Sequence, residues 1–273
     1  MSPRTVFSRS FLIGLMVLGI SPAQAALRTV TIRVENLAPV NSVSFAPLRF
    51  GFNNGTFDAF NIGEIATNPI ITVAEGGSGS AWFPAFAAAD PTAVLGSTMG
   101  ALTPGASFTT RTFLVDTTLN PFFTFAAMVV PSNDLFIGND DPTEYRLFDA
   151  AGNLLINNID QAANEIWNAG SETADPANAA FVVGGTNSAR TPENGVVEFD
   201  FSELNVFNGL TTAAGYTFNN SLRSNTAIYR ISFSSVAAVP EAATWAQMIA
   251  GFIIVGGVLR QRKRVQSTLQ VAA

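Results

Sequence analysis

Residues 27–37, LRTVTIRVENL, alternate in character. Val30, Ile32 and Val34 fall on one face of an extended chain; Thr29, Thr31, Arg33 and Glu35 fall on the other. A period of two with one apolar face predicts a half-buried β-strand. The theme recurs. Residues 43–52, VSFAPLRFGF, bring Phe45, Phe50 and Phe52 before an Asn53-Asn54-Gly55 turn. Residues 107–118 (SFTTRTFLVDTT), 122–131 (FFTFAAMVVP), 144–156 (EYRLFDAAGNLLI), 196–201 (VVEFDF) and 227–238 (AIYRISFSSVAA) read as further strands between Gly, Pro and Asn clusters. Helical signal is thin: short turns at Ile62–Ala66, Phe86–Leu95 and Gln161–Trp167. No fixed-period repeat argues for a propeller or solenoid. The expected fold is all-β: one antiparallel β-sandwich over residues 27–236, its final strand within 227–238 and its core filled by many of the 23 Phe.

Composition removes whole classes of chemistry. The 273 residues are 48% hydrophobic and 12% charged, ample for one core. There is no Cys and no His, which excludes disulfides, zinc–thiolate sites, a Ser-His-Asp triad and imidazole general bases. The body lacks Lys, so Schiff-base chemistry is absent from it. Charge is unevenly spread. Arg4, Arg9, Arg260, Arg262, Lys263 and Arg264 sit at the ends; without them and Glu241, 8 basic residues of 14 face 19 acidic of 20, a body near −11. Such a surface repels nucleic acid and suits cations.

Both ends read as addresses. Arg4 and Arg9 precede an apolar Phe11–Ile20 stretch, and Ala23-Gln24-Ala25 gives a small-x-small cleavage pattern, the marks of a signal peptide over residues 1–25. Near the other end, residues 242–259 carry no charge, and Arg260, Arg262, Lys263 and Arg264 follow. Eighteen helical residues span roughly 27 Å, enough to cross a bilayer, with the basic cluster (260–264) left on the cytoplasmic side. Val239, Pro240, Glu241, Thr244 and Trp245 precede or open that run in an order that resembles the PEP-CTERM sorting signal of Gram-negative bacteria (239–264), with Ala242 where the second Pro of its motif stands. That resemblance implies an exosortase-type partner at the inner membrane, cleavage near Pro240-Glu241, and release to the cell surface or an exopolysaccharide-rich matrix.

Within the body, two stretches concentrate side-chain oxygens. Val130-Pro131-Ser132-Asn133-Asp134 leaves a buried strand and places Asp134 at its end. Phe136-Ile137-Gly138 turns back inward, and Asn139-Asp140-Asp141 follows. Downstream, Trp167-Asn168-Ala169-Gly170-Ser171-Glu172 and Asp175 form a second acidic loop. Calcium takes six to eight oxygens, and two such loops at one end of a sandwich would supply them; an Asx-type turn is the plainer reading of Asn-Asp-Asp-Pro.

Residues 130–138 and 167–172, with the openings TVTIRVENL and SFAPLRFGFNNGTFDAF, resemble the spondin N-terminal domain over most of Leu27–Phe201. That resemblance implies an antiparallel sandwich with calcium at one end and a non-enzymatic, adhesive role toward carbohydrate or surface proteins. Asp134 matches the first acid of the family's site; Asn168 stands at the second, keeping an oxygen but losing a charge, and Glu172 or Asp175 would compensate. Asp116 is nearest in type to the third, an acid on a preceding strand. Two other readings stand beside this one: a carbohydrate-active enzyme using Asp134 with Glu172 or Asp140 with Glu144, and a surface protein anchored permanently by its tail.

Overall fold

In the computed structural model the described residues are 27–238, 245, 248–257 and 260. The chain forms two antiparallel sheets. The first joins β1 (Leu27–Asn36), β5 (Ser107–Thr109), β6 (Phe113–Asp116), β9 (Asn158–Ala162) and β12 (Ala227–Ala237), in the order β5-β1-β12-β9 with β6 also on β1. The second runs β11 (Glu198–Phe199), β10 (Trp167–Asn168), β8 (Leu135–Gly138), β7 (Phe122–Val130), β3 (Arg49–Asn53), β4 (Val94–Ser97), with β2 (Ser44–Phe45) on β7.

The alternating strands behave as expected. β1 and β12 pair over nine positions, from Arg28 opposite Ala237 to Asn36 opposite Tyr229. Val30, Ile32, Val34, Ile231 and Phe233 point into the core, where they meet Phe50, Phe52, Phe123 and Phe125 of the second sheet. Phe123 meets Phe233 edge-on at 4.9 Å between ring centroids, and Phe50 meets Phe113 at 5.3 Å. The last strand therefore lies inside its sheet, between β1 and β9, and Phe207 and Phe218 bury the connection that precedes it.

Three expectations need correction. Residues 107–118 form two strands rather than one. At the break, Thr110 donates its N–H to the Ile32 carbonyl while its Oγ1 accepts from the Ile32 N–H, so one hydroxyl takes the place of a ladder carbonyl. Residues 144–156 form only isolated bridges, Phe122 with Arg146 and Phe148 with Leu154, because the Asp149 carboxylate accepts the N–H groups of Ala151 and Asn153 and closes a turn in mid-run. Finally, the second sheet is covered on its outer side. α1 (Asn68–Gly76) and α2 (Trp82–Ala89) pack there with Phe57 and Phe60 in a second apolar cluster. Of the expected turns, 62–66 holds a turn, the second overlaps the end of α2, and the third contains a short 3₁₀ segment, Ala163–Glu165.

α1 starts with Pro69 in its first turn, where the missing N–H costs nothing. It ends at Gly77 in the left-handed region, and buries Ile70, Val73 and Ala74 at i, i+3, i+4 spacing. β3, β7 and β8 thus lie between two apolar layers and are buried nearly throughout. Gly51 permits this: a Cβ there would sit 2.6 Å from the Phe86 ring and 2.8 Å from Leu95. Gly51→Ala is expected to destabilise the fold by about 1–3 kcal/mol, read as a lowered denaturation midpoint at unchanged slope.

Among the described residues no helix is long and apolar enough to cross a membrane. Residues 248–257 are helical and exposed, as are Trp245 and Arg260. Ala23, Ala25, Val239, Pro240, Glu241, Thr244, Arg262, Lys263, Arg264 and the remainder of the expected 242–259 span lie outside the described residues.

Candidate functional site

β7 ends at Val130, and a tight connection returns the chain as β8. Ser132 makes the turn: its Oγ donates to the Val129 carbonyl at 2.6 Å and accepts the Leu135 N–H at 3.1 Å. The turn carries Asp134 to the end of the seven-stranded sheet, where it is fully buried. Its Oδ2 accepts the backbone N–H groups of Ser171 at 2.8 Å and Glu172 at 3.0 Å, with the Ser171 hydroxyl at 3.3 Å. Its Oδ1 is buried and has no hydrogen-bond partner. Burial drives the Asp134 carboxyl up to about 6 against these hydrogen bonds, which pull the other way.

Asn168 lies beside it on β10, opposite Leu135 of β8 and Glu198 of β11. Its oxygen is already engaged: Oδ1 accepts the Gly170 N–H at 2.5 Å. Gly170 holds φ +60° and lies so close to Gly195 and Val196 that a Cβ would come within 2.7 Å of their backbone, so the tight loop needs glycine. The Asn168 side chain pulls the Glu203 carboxyl downward against its burial. The oxygen expected as a ligand at Asn168 thus already accepts one hydrogen bond.

Glu203 completes the group. It sits on a 3₁₀ segment, Ser202–Phe207, whose Leu204 and Phe207 are buried in the sandwich core. Its Oε2 is a second buried oxygen without a partner. Burial first, then the nearby Asp134, Glu193 and Asp200 charges, raise the Glu203 carboxyl to about 7. Asp134, fully buried, and Glu203, partly buried, therefore each keep an oxygen without a partner, and the Asp134 charge raises the cost of charging Glu203. That is the electrostatic condition a bound cation relieves. No group of three or more acidic side chains gathers as a full metal cage among the described residues. A cation here would draw on Asp134 and Glu203, with backbone oxygens or water making up the rest.

The other expected ligands are elsewhere. Glu172 is buried, but it accepts from Asn133 Nδ2 at 3.3 Å and faces Arg190 Nε at 3.9 Å. Arg190 also pairs with Glu75 of α1, and Ser171 Oγ bridges Glu75 Oε1 and Asp134 Oδ2. Glu172 thus lies beside an arginine, while its Oε2, like Asp134 Oδ1, is buried without a hydrogen-bond partner. Arg190→Ala is expected to lower stability by about 1–2 kcal/mol, modest because the arginine stays 43% exposed and water screens the pair. Adding Glu75→Gln should recover part of that loss in thermal melts. Asp175 Oδ1 accepts the Ala177 N–H, and Asp116 Oδ1 accepts those of Thr118 and Leu119; both close local turns. Asn139 caps the Phe125 N–H, and Asp140 and Asp141 face a different cleft.

No protein-family model matches the chain, and no curated protein matches its sequence.

Proposed function

We propose that this is a secreted, non-enzymatic cell-surface or matrix domain of the spondin N-terminal kind, in which calcium at the Asp134–Glu203 pair sets the loops at one end of the sandwich for adhesion. The observation that carries this reading is the pair of buried, unpartnered oxygens, Asp134 Oδ1 and Glu203 Oε2, beside Asn168. Both atoms are acceptors with nothing to accept from, and a hard divalent cation takes oxygens of this kind. The two-sheet architecture and the position of Asp134 at a strand end support the same reading. When bound, the ion would neutralise the pair. The role of the chain is to hold Oδ2 of Asp134 on the Ser171 and Glu172 amides, so that the loop after β10 follows the acid pair.

In this reading the leader through Ala25 exports the chain, and the 239–264 signal holds it at the inner membrane until an exosortase-type enzyme releases it to the surface or an exopolysaccharide matrix. Calorimetric titration of the purified full-length chain with calcium is the test, beside Asp134→Ala. Binding in the wild type that disappears in the variant is expected. No binding in the wild type removes calcium from the reading. Mass analysis of the extracellular form tests the sorting step: a chain ending near Pro240 supports it, and an intact tail makes the protein a permanent anchor.

A further inference from the structure

A second acidic site lies between β8 of the seven-stranded sheet and β9 of the five-stranded sheet, apart from the Asp134–Glu203 pair. The segment after β8 and the end of β9 enclose a cleft of about 350 Å³, with Asp140, Asp141, Glu144 and Glu165 around it and no Lys or Arg among its lining residues. Its aromatic wall is Phe199, half exposed and stacked on Trp167 at 3.7 Å, with Tyr145 nearby.

Two of the four acids are spoken for. Asp141 Oδ1 accepts the Thr143 N–H and hydroxyl, and Glu165 Oε2 accepts the Ala162 N–H. The others are not settled. Asp140 Oδ1 is buried without a partner. The independent feature is Gln161, only 3% exposed, which lines the cleft with a buried Oε1 that nothing donates to. Its amide nitrogen is engaged weakly, by the Tyr145 hydroxyl and the Asp160 carbonyl, each at 3.4 Å. Both unmet atoms are acceptors, so the missing ligand is a donor. The surrounding charge is negative, so it is a cation. An aromatic face beside the carboxylates favours an ammonium. The volume exceeds what a bare ion fills. We propose that this cleft binds an aliphatic ammonium ligand of the di- or polyamine class, one ammonium against Asp140 and Gln161 and a second reaching Glu144.

Burial and the neighbouring Asp58, Asp141 and Glu64 charges hold the Asp140 carboxyl above its usual range, and Glu144 is raised for the same kinds of reason. A cation would relieve both. The lysine side chain of a partner protein carries the same ammonium chemistry as a free polyamine, so both are tested. The full-length chain is titrated calorimetrically at fixed ionic strength with spermidine, Nα-acetyl-lysine methylamide, calcium chloride and glucose, beside Asp140→Asn/Glu144→Gln. Spermidine binding that weakens at least tenfold in the double variant, with the melting temperature unreduced, is expected. If the lysine compound binds as well as spermidine, the ligand is a protein side chain; if only spermidine binds, it is a free polyamine; both results support the site. Spermidine binding unchanged in the double variant, or uptake of glucose or calcium but not spermidine, would overturn it.

Discussion

In the presence of a chelator, the domain is expected to lose stability as the pH rises from about 4 to 7, and on the proposed calcium reading the ion is expected to restore what is lost. The sign follows from the two acids at the end of the sheet. Asp134 is raised to about 6 and Glu203 to about 7 in the folded chain. Their ordinary values are 3.8 and 4.5. The folded state therefore holds more protons than the unfolded state across that window, and stability must fall as protons leave. Below about 4 both states are protonated and this contribution levels off; above about 7 both are ionised and the full cost is present. On the proposed reading calcium would compete with the protons for the same oxygens, so its stabilisation should be largest near pH 7 and vanish toward pH 4. Chemical denaturation at several pH values, with and without calcium, checks this. Glu203→Gln should flatten the chelator curve and remove most of the calcium response. A chelator curve that rises with pH over this range would show that the pair is not uncompensated. Exposed acids such as Asp141 and Asp149 are shifted down instead, so their contribution runs the other way and is small at the surface.

How much of this was legible follows from which contacts are local. β1 and β12 show their period of two because one face of each meets the core and the other meets less. β3, β7 and β8 are buried on both faces, so they read only as apolar runs. The covering helices were hidden for the matching reason. NPIITVAEG and WFPAFAAA are short, carry proline, and show almost no polar face, because the cover of a sheet is itself half buried. Asp134 was legible because its place at a strand end depends on a local turn around Ser132. Glu203 was not: it arrives from a 3₁₀ segment that follows β11, and nothing in SELNVF points toward a loop so distant in sequence. Glu172 looked like a ligand by proximity to Asn168. What surrounds it, Asn133 on its Oε1 and Arg190 at 3.9 Å from its Oε2, comes from segments that no local pattern announces.

Asn168→Asp is the substitution with the largest expected gain. The asparagine oxygen accepts from Gly170, and the side chain pulls the Glu203 carboxyl downward. An aspartate keeps the first contact, since either oxygen accepts from the Gly170 N–H. It then places a second, charged oxygen where the amide nitrogen was, and a third carboxylate would join Asp134 and Glu203. Without metal this is costly, because a favourable hydrogen bond becomes a like-charge contact in a buried place. With calcium the same change adds a charged ligand, and calcium affinity is tuned by the count of such ligands. The variant should therefore melt below the wild type in chelator, melt above it in excess calcium, and bind calcium at least tenfold more tightly. The crossing of the two melting curves is the diagnostic result, since a merely disruptive substitution lowers both. If the variant melts lower in both conditions and binds calcium no better, Asn168 serves to hold Glu203 in place, and the acid pair is a structural feature without a metal.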